Sequence, residues 1–188
     1  MSRKEQVLPD GKRALQETFL SLYSKKPYEQ ISIKELCEKS HVARTTFYFH
    51  YQNLAELKQA LEDELIEGLL EVAESVADGD YTTMDFHLYV GKTLQYIAEH
   101  ETSFTAFLLD QPSYSFRARW AEGIKRHLLL QYPDLKRRKN SDVYLEGIAA
   151  LVLTVYGLWH REPEKVDLAQ AGQDFMSILA GLGIEPKV

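Results

Sequence analysis

The chain has one cysteine in 188 residues, Cys37. A lone thiol excludes an internal disulfide and any zinc site built from several cysteines. Long apolar runs and a signal-peptide pattern are also missing, so a cytoplasmic protein with no membrane partner is expected. The motifs of common catalytic sites are absent: there is no H-E-x-x-H, no G-x-S-x-G and no glycine-rich phosphate loop. Glu99, His100 and Glu101 offer acid–base groups, but no nucleophile or metal partner stands at a useful spacing. The expectation is a protein that is not an enzyme and carries neither metal nor cofactor. No stretch alternates as a strand would, and the length suits one or two closely packed domains with a real core.

A net charge of −6 is the wrong sign for a polyanion partner, but the charge is unevenly placed. Residues 1–52 hold nine lysines and arginines against six acids, whereas the remainder holds thirteen against twenty-two. A basic head on an acidic body is the footprint of a protein whose N-terminal part meets nucleic acid.

That head contains the most informative stretch, ISIKELCEKSHVARTTFYFHYQN, from Ile31 to Asn53. Ser32 and Glu35 stand three apart, the spacing of a reciprocal capping box, and Ile31 and Leu36 flank it as a hydrophobic staple. A helix therefore starts at Ile33, with Ile33, Leu36 and Cys37 on one apolar stripe. It ends near Lys39, Ser40 and His41, where cations suit the dipole, and Val42 is left to pin the turn. The next helix, Ala43 to Tyr51, is unusually polar: only Phe47 and Tyr51 are spaced for burial. Cys37, on the core face, reads as a small hydrophobe, with redox sensing as the alternative.

Two such short helices need a third behind them. The stripe Ala14, Leu15, Thr18, Phe19, Leu22, Tyr23 supplies it, in a helix expected from Gly11 to Ser24 with Asp10 as its cap and Pro27 beyond its end. The face left outward suits a DNA major groove: arginine bonds guanine bidentately, threonine reaches base edges or a thymine methyl, and tyrosine and histidine reach phosphates. The same residues also fit a solvated helix in an ordinary bundle.

The stretch I-S-I-K-E-L-C-E-K-S-H-V-A-R-T-T-F-Y-F-H-Y, preceded by an amphipathic helix and followed by an Asn-capped long one, resembles the TetR family of bacterial transcriptional regulators. YLEGIAALVLTVYGLWHREPE looks like the penultimate helix of a firmicute-type subgroup of that family. The resemblance implies an all-α fold of about nine helices: a helix-turn-helix DNA-binding domain over residues 1–52 and a helical regulatory and dimerisation domain over 53–188. It implies DNA contact by Ser32, Lys34, Ala43, Arg44, Thr45, Thr46, Tyr48, Phe49 and His50. Its expected partners are a second copy of the chain, an operator with inverted symmetry, and a small-molecule effector. Three positions depart from the family pattern. Thr45 stands where many members have glycine, Phe49 where some have a phosphate-bonding tyrosine, and Leu54 where a lysine commonly follows the cap. The missing lysine predicts weaker or less salt-dependent binding.

Asn53 and Glu56 form a second capping box, opening a helix to about Val76 with Leu54, Leu57, Leu61, Leu65, Leu69 and Val72 at threes and fours. Asp78, Gly79 and Asp80 read as a turn. Further helices are expected over Thr83–His100, Thr102–Leu109, Ser113–Tyr132, Asp142–His160 and from a cap at Asp167. An effector pocket is expected among Tyr89, Tyr96, Phe104, Phe107, Phe116 and Trp120, with His87, His100 and His127 as candidate polar contacts. Acidic body residues would suit a cationic ligand there. The apolar surface of Tyr144, Ile148, Leu151, Val152, Val155, Trp159, Phe175 and Ile178 exceeds one helix face and is expected to pair with a second subunit, the alternative being an intramolecular core.

Overall fold

The computed structural model describes residues 9–77 and 85–182. Arg3, Lys4, the turn at Asp78, Gly79 and Asp80, Met84 and the side chains of Asp10, Phe86 and His87 lie outside the described residues. Among those described there are nine α-helices and no strand.

Three helices make the head: α1 (Pro9–Tyr23), α2 (Ile33–Ser40) and α3 (Arg44–His50). The first starts two residues before the expected Gly11, with proline in the first turn, where its missing N–H is not needed. At the start of α2 the Ser32 hydroxyl accepts from the Glu35 N–H at 3.2 Å. The return bond of the capping box is replaced: the Glu35 carboxylate reaches Lys26 and, at 3.1 Å, Lys39. Those two cations hold the Glu35 carboxyl below its ordinary pKa. His41 closes α2 in the left-handed region, φ 56°, which turns the chain sharply into α3. Leu15, Phe19, Leu36 and Phe47, one or two from each helix, are fully buried where the three meet. Gly11 lets α1 approach α3 closely, since a Cβ there would stand 3.2 Å from Thr46 Cγ2.

The long helix α4 (Leu54–Ala77) runs from head to body. Asn53 Oδ1 accepts from the Glu56 N–H at 2.9 Å, and the Glu56 carboxylate accepts from the Gln52 N–H at 2.6 Å, closing the expected box one residue earlier than the usual return bond. Gly68 leaves room for the Tyr96 ring across this helix; a Cβ there would overlap the phenol. The body adds α5 (Phe86–Glu99), α6 (Glu101–Thr105), α7 (Tyr114–Gln131), α8 (Ser141–Arg161) and α9 (Leu168–Gly181). Asp85, Ser113 and Asp167 cap α5, α7 and α9 through side-chain oxygens. A wide π turn, Ala106–Asp110, continues α6.

One apolar core runs without a break from Leu15 and Phe19, past Leu57 and Leu61, to Phe104, Phe107, Phe116 and Trp120. A smaller one lies around Leu128, Leu145, Ile148 and Leu179. Gln111, just after the π turn, ties head to body: its amide nitrogen donates to the carbonyls of Tyr23 and Lys26, and its amide oxygen accepts from the Tyr28 N–H at 2.9 Å. Helix α8, with a mean hydropathy of 1.3, is long and apolar enough to cross a membrane. Leu145, Ile148, Ala149 and Leu153 of that helix are nevertheless packed inside the body.

Candidate nucleic-acid interface and body cavity

On α3, Phe47 points inward with no exposed surface, and it sets the rotation of the whole helix. Ala43, Arg44 and Thr45 are exposed at its start, and Tyr48 and Phe49 are 57% and 68% exposed near its end. Thr46 is half-buried against α1. His50 is also half-buried, with Nε2 enclosed, so its ring is less available than the expected phosphate contact requires. Ser32 and Lys34 are exposed at the start of α2. The basic charge of the head is partly spoken for: Lys26 and Lys39 pair with Glu35, and Lys34 stands 3.9 Å from Glu38. Arg44 has no ion pair among the described residues. An arginine, a threonine and two aromatic rings, Arg44, Thr45, Tyr48 and Phe49, thus share one outward helix face. Behind it, Cys37 is buried; burial raises its thiol pKa, partly offset by the Arg44 charge, so it packs rather than reacts.

The body holds a half-open cavity of ≈ 290 Å³ between α5, α7, α8 and α9. Of the six expected pocket residues, Tyr89 and Trp120 line it. Phe104, Phe107 and Phe116 are instead core residues with no exposed surface, the Phe116 ring lying 5.9 Å from that of Phe104 and 5.6 Å from that of Phe107. Tyr96 crosses to α4, where its hydroxyl donates to the Glu64 carbonyl at 3.3 Å, and His100 bonds the Tyr96 carbonyl at 2.9 Å. The aromatic stripe therefore served packing, and the cavity opened one helix further on. The candidate His127 does line it, stacked on Tyr89 with ring centroids 5.1 Å apart. Burial holds the His127 imidazole down to about 4 and pushes the Tyr89 and Tyr156 phenols up.

Most of the surface expected to pair with a second subunit faces inward. Ile148 belongs to the smaller core and Trp159 packs on the larger one. Leu151, Val152, Val155, Phe175 and Ile178 line the cavity, and of these only Ile178 is also well exposed, at 46%. Tyr144 is half-buried. The outward face of α8 carries Val143, Gly147, Ala150, Thr154 and Leu158, with open space around Gly147 and Gly157. A spacing of threes and fours among small residues marks that second stripe, but it is masked in the sequence by the larger apolar residues between.

No protein-family model matches the sequence, and no curated protein matches it. Solved structures do match. A TetR transcriptional regulator from Streptococcus agalactiae aligns over 90% of this chain and 93% of its own, with a TM-score of 0.67 at 19% identity. The chain has the fold of the TetR regulators. A protein assigned to the same family from Syntrophomonas wolfei aligns over 94% of this chain and 96% of its own, with a TM-score of 0.62 at 17% identity. The dihydroxyacetone kinase operon activator DhaS aligns over 94% and 98%, with a TM-score of 0.56 at 16% identity. The TetR-like all-α architecture expected from the sequence thus aligns over 90–94% of the chain. Sequence reasoning missed the buried Glu62, hidden among the leucines of α4, the head-to-body tie at Gln111, and the neutral polar lining at Thr93 and Gln131.

Proposed function

We propose that the protein is a homodimeric, sequence-specific DNA-binding regulator of transcription, acting as a repressor that a small molecule releases from its operator. The observation that carries this reading is the outward face of α3, where Arg44, Thr45 and Tyr48 stand exposed on a helix-turn-helix whose own core is complete without them. Residues 1–52 form the DNA-binding unit and 53–188 the regulatory one. Arg44 and Thr45 read bases, Ser32, Lys34 and Tyr48 contact backbone, and Ala43, Thr46, Phe49 and His50 complete the surface. In a dimer built on the exposed face of α8 and on α9, two such heads meet successive major grooves roughly 34–36 Å apart, on DNA of inverted symmetry. An effector in the cavity then works only through its different affinity for bodies with correctly and wrongly spaced heads.

Activation is the second reading, supported by the likeness to the operon activator DhaS. The sign of regulation does not alter the interface.

The test is selection of random duplex DNA on the purified protein with Arg44→Ala as the paired sample. The parent is expected to enrich an inverted repeat, and the variant to lose on the order of 1–3 kcal/mol with relaxed preference at one base pair of each half-site. No enrichment by the parent at low salt would refute the proposal. Equal weakening on all sequences would make Arg44 a phosphate contact.

A further inference from the structure

The cavity in the body has a chemistry that narrows what can occupy it. Its walls are aliphatic and aromatic, with Val90, Leu151, Val155 and Phe175 facing Trp120 and the Tyr89–His127 stack. The uncharged polar residues in its lining are Tyr89, Thr93, His127, Gln131 and Tyr156. Thr93, His127 and Gln131 are buried, and Thr93 donates to the Tyr89 carbonyl at 2.8 Å. Among the described residues, no lysine or arginine lines the cavity. The carboxylate among its lining residues, Asp174, is exposed and accepts from Gln170 at 2.9 Å, so it stays in water at the rim. Among the described residues, no other acid of the body lines the cavity to supply a counter-charge inside.

We infer that this cavity takes a small neutral molecule, mostly hydrocarbon or aromatic, bearing a hydroxyl, amide or carbonyl that hydrogen-bonds the Tyr89, Thr93 and Tyr156 cluster, and that it rejects ions of the same shape. An ion entering would lose its hydration without gaining a charged partner, and such a group is costly to bury unless paired. A neutral ligand surrenders only apolar hydration, and its polar group replaces water with fixed partners. His127, Tyr89 and Tyr156 reinforce this across the physiological range: with the imidazole held down to about 4 and both phenols pushed up, these three stay neutral there. At ≈ 290 Å³ the space lies at the lower end of pockets that hold small ligands, roughly 300–1,000 Å³, which suits a fused bicyclic skeleton better than a long chain.

The proposal rests on the reading of this cavity as the effector site, and the experiment separates the two. Three probes of one skeleton, 2-naphthol, 2-naphthoate and 2-naphthylmethylammonium, are titrated by calorimetry into the full chain at pH 7. The parent is expected to bind 2-naphthol at least tenfold more tightly than either ion, with an affinity flat from about pH 5.5 to 8.5. Val152→Phe and, separately, Ala171→Leu, which fill the space from two different helices, should each weaken 2-naphthol binding at least tenfold while the variants keep the parent's helical circular dichroism. Either ion binding as tightly as 2-naphthol would overturn the inference. So would absence of 2-naphthol binding, or binding untouched by both filling variants. If 2-naphthol occupies the cavity but leaves DNA affinity unchanged, the class of ligand stands and its role as effector falls.

Discussion

Glu62 is the residue whose removal should be felt most. It lies at 1% exposure on α4, and its carboxylate accepts from Lys58, from Arg119 at 2.9 Å, from the Ser115 hydroxyl at 2.9 Å and from the Ser113 hydroxyl at 2.5 Å. Lys58 and Arg119 keep 17% and 31% of their side-chain surface, so both are partly dehydrated and depend on that carboxylate. Glu62→Ala takes the shared acceptor from two cations and two hydroxyls. Removing one partner of a buried pair costs roughly 3–5 kcal/mol; partial exposure, and the Asp63 contact that Arg119 retains, reduce the expected loss to about 2–4 kcal/mol. Urea unfolding followed by circular dichroism reads this directly. With a slope near 2 kcal/mol/M, the midpoint should fall by about 1–2 M with the slope unchanged. Replacing the set together, Lys58→Met with Glu62→Leu and Arg119→Met, should recover most of the loss, because no charge is then left buried without its partner. A Glu62→Ala loss below about 1 kcal/mol would mean that water screens the cluster, and would refute its part in bracing α4 against α7.

Two further outcomes are expected. His127 is 8% exposed and its imidazole is held down from 6.5 to about 4 by burial. Between those values the unfolded chain takes up a proton that the folded chain refuses, so stability falls as pH drops from about 6.5 and the loss is complete near 4, up to about 3 kcal/mol. His127→Phe should flatten that interval relative to the parent, as read by thermal unfolding at several pH values; parallel profiles would refute the assignment. On the outward face of α8, Leu158 is 45% exposed beside the open Gly157. Leu158→Glu should convert a dimer to a monomer by sedimentation while changing monomer stability by no more than about 0.5 kcal/mol, and an undisturbed dimer would place the interface elsewhere.

Several features of this chain were legible in its sequence because the interaction that decides each lies within a few residues. Ser32, Asn53 and Asp167 each start a helix by accepting an N–H three residues on, and each was expected there. Pro133 stands just past the end of α7, where proline cannot continue the hydrogen-bond ladder. The outward turn of Arg44, Thr45 and Tyr48 follows from Phe47 and Tyr51, the apolar pair that α3 has to bury. Wherever a helix is apolar on more than one side, local spacing stops deciding. Leu151, Val152 and Val155 were equally suited to a partner subunit or to an interior, and the positions of α5, α7 and α9 put them around a cavity. Phe104, Phe107 and Phe116 were as fit for a pocket wall as for a core, and contact with α1, α4 and α7 filled the space around them. Glu62 and Gln111 are the clearest cases: Glu62 has one local partner, Lys58 four residues before it, and its others lie 51–57 residues away, while those of Gln111 lie 83–88 residues away. A helix cap is a bargain between near neighbours in the chain, whereas the worth of a buried charge or an apolar face depends on which distant residues the fold sets against it.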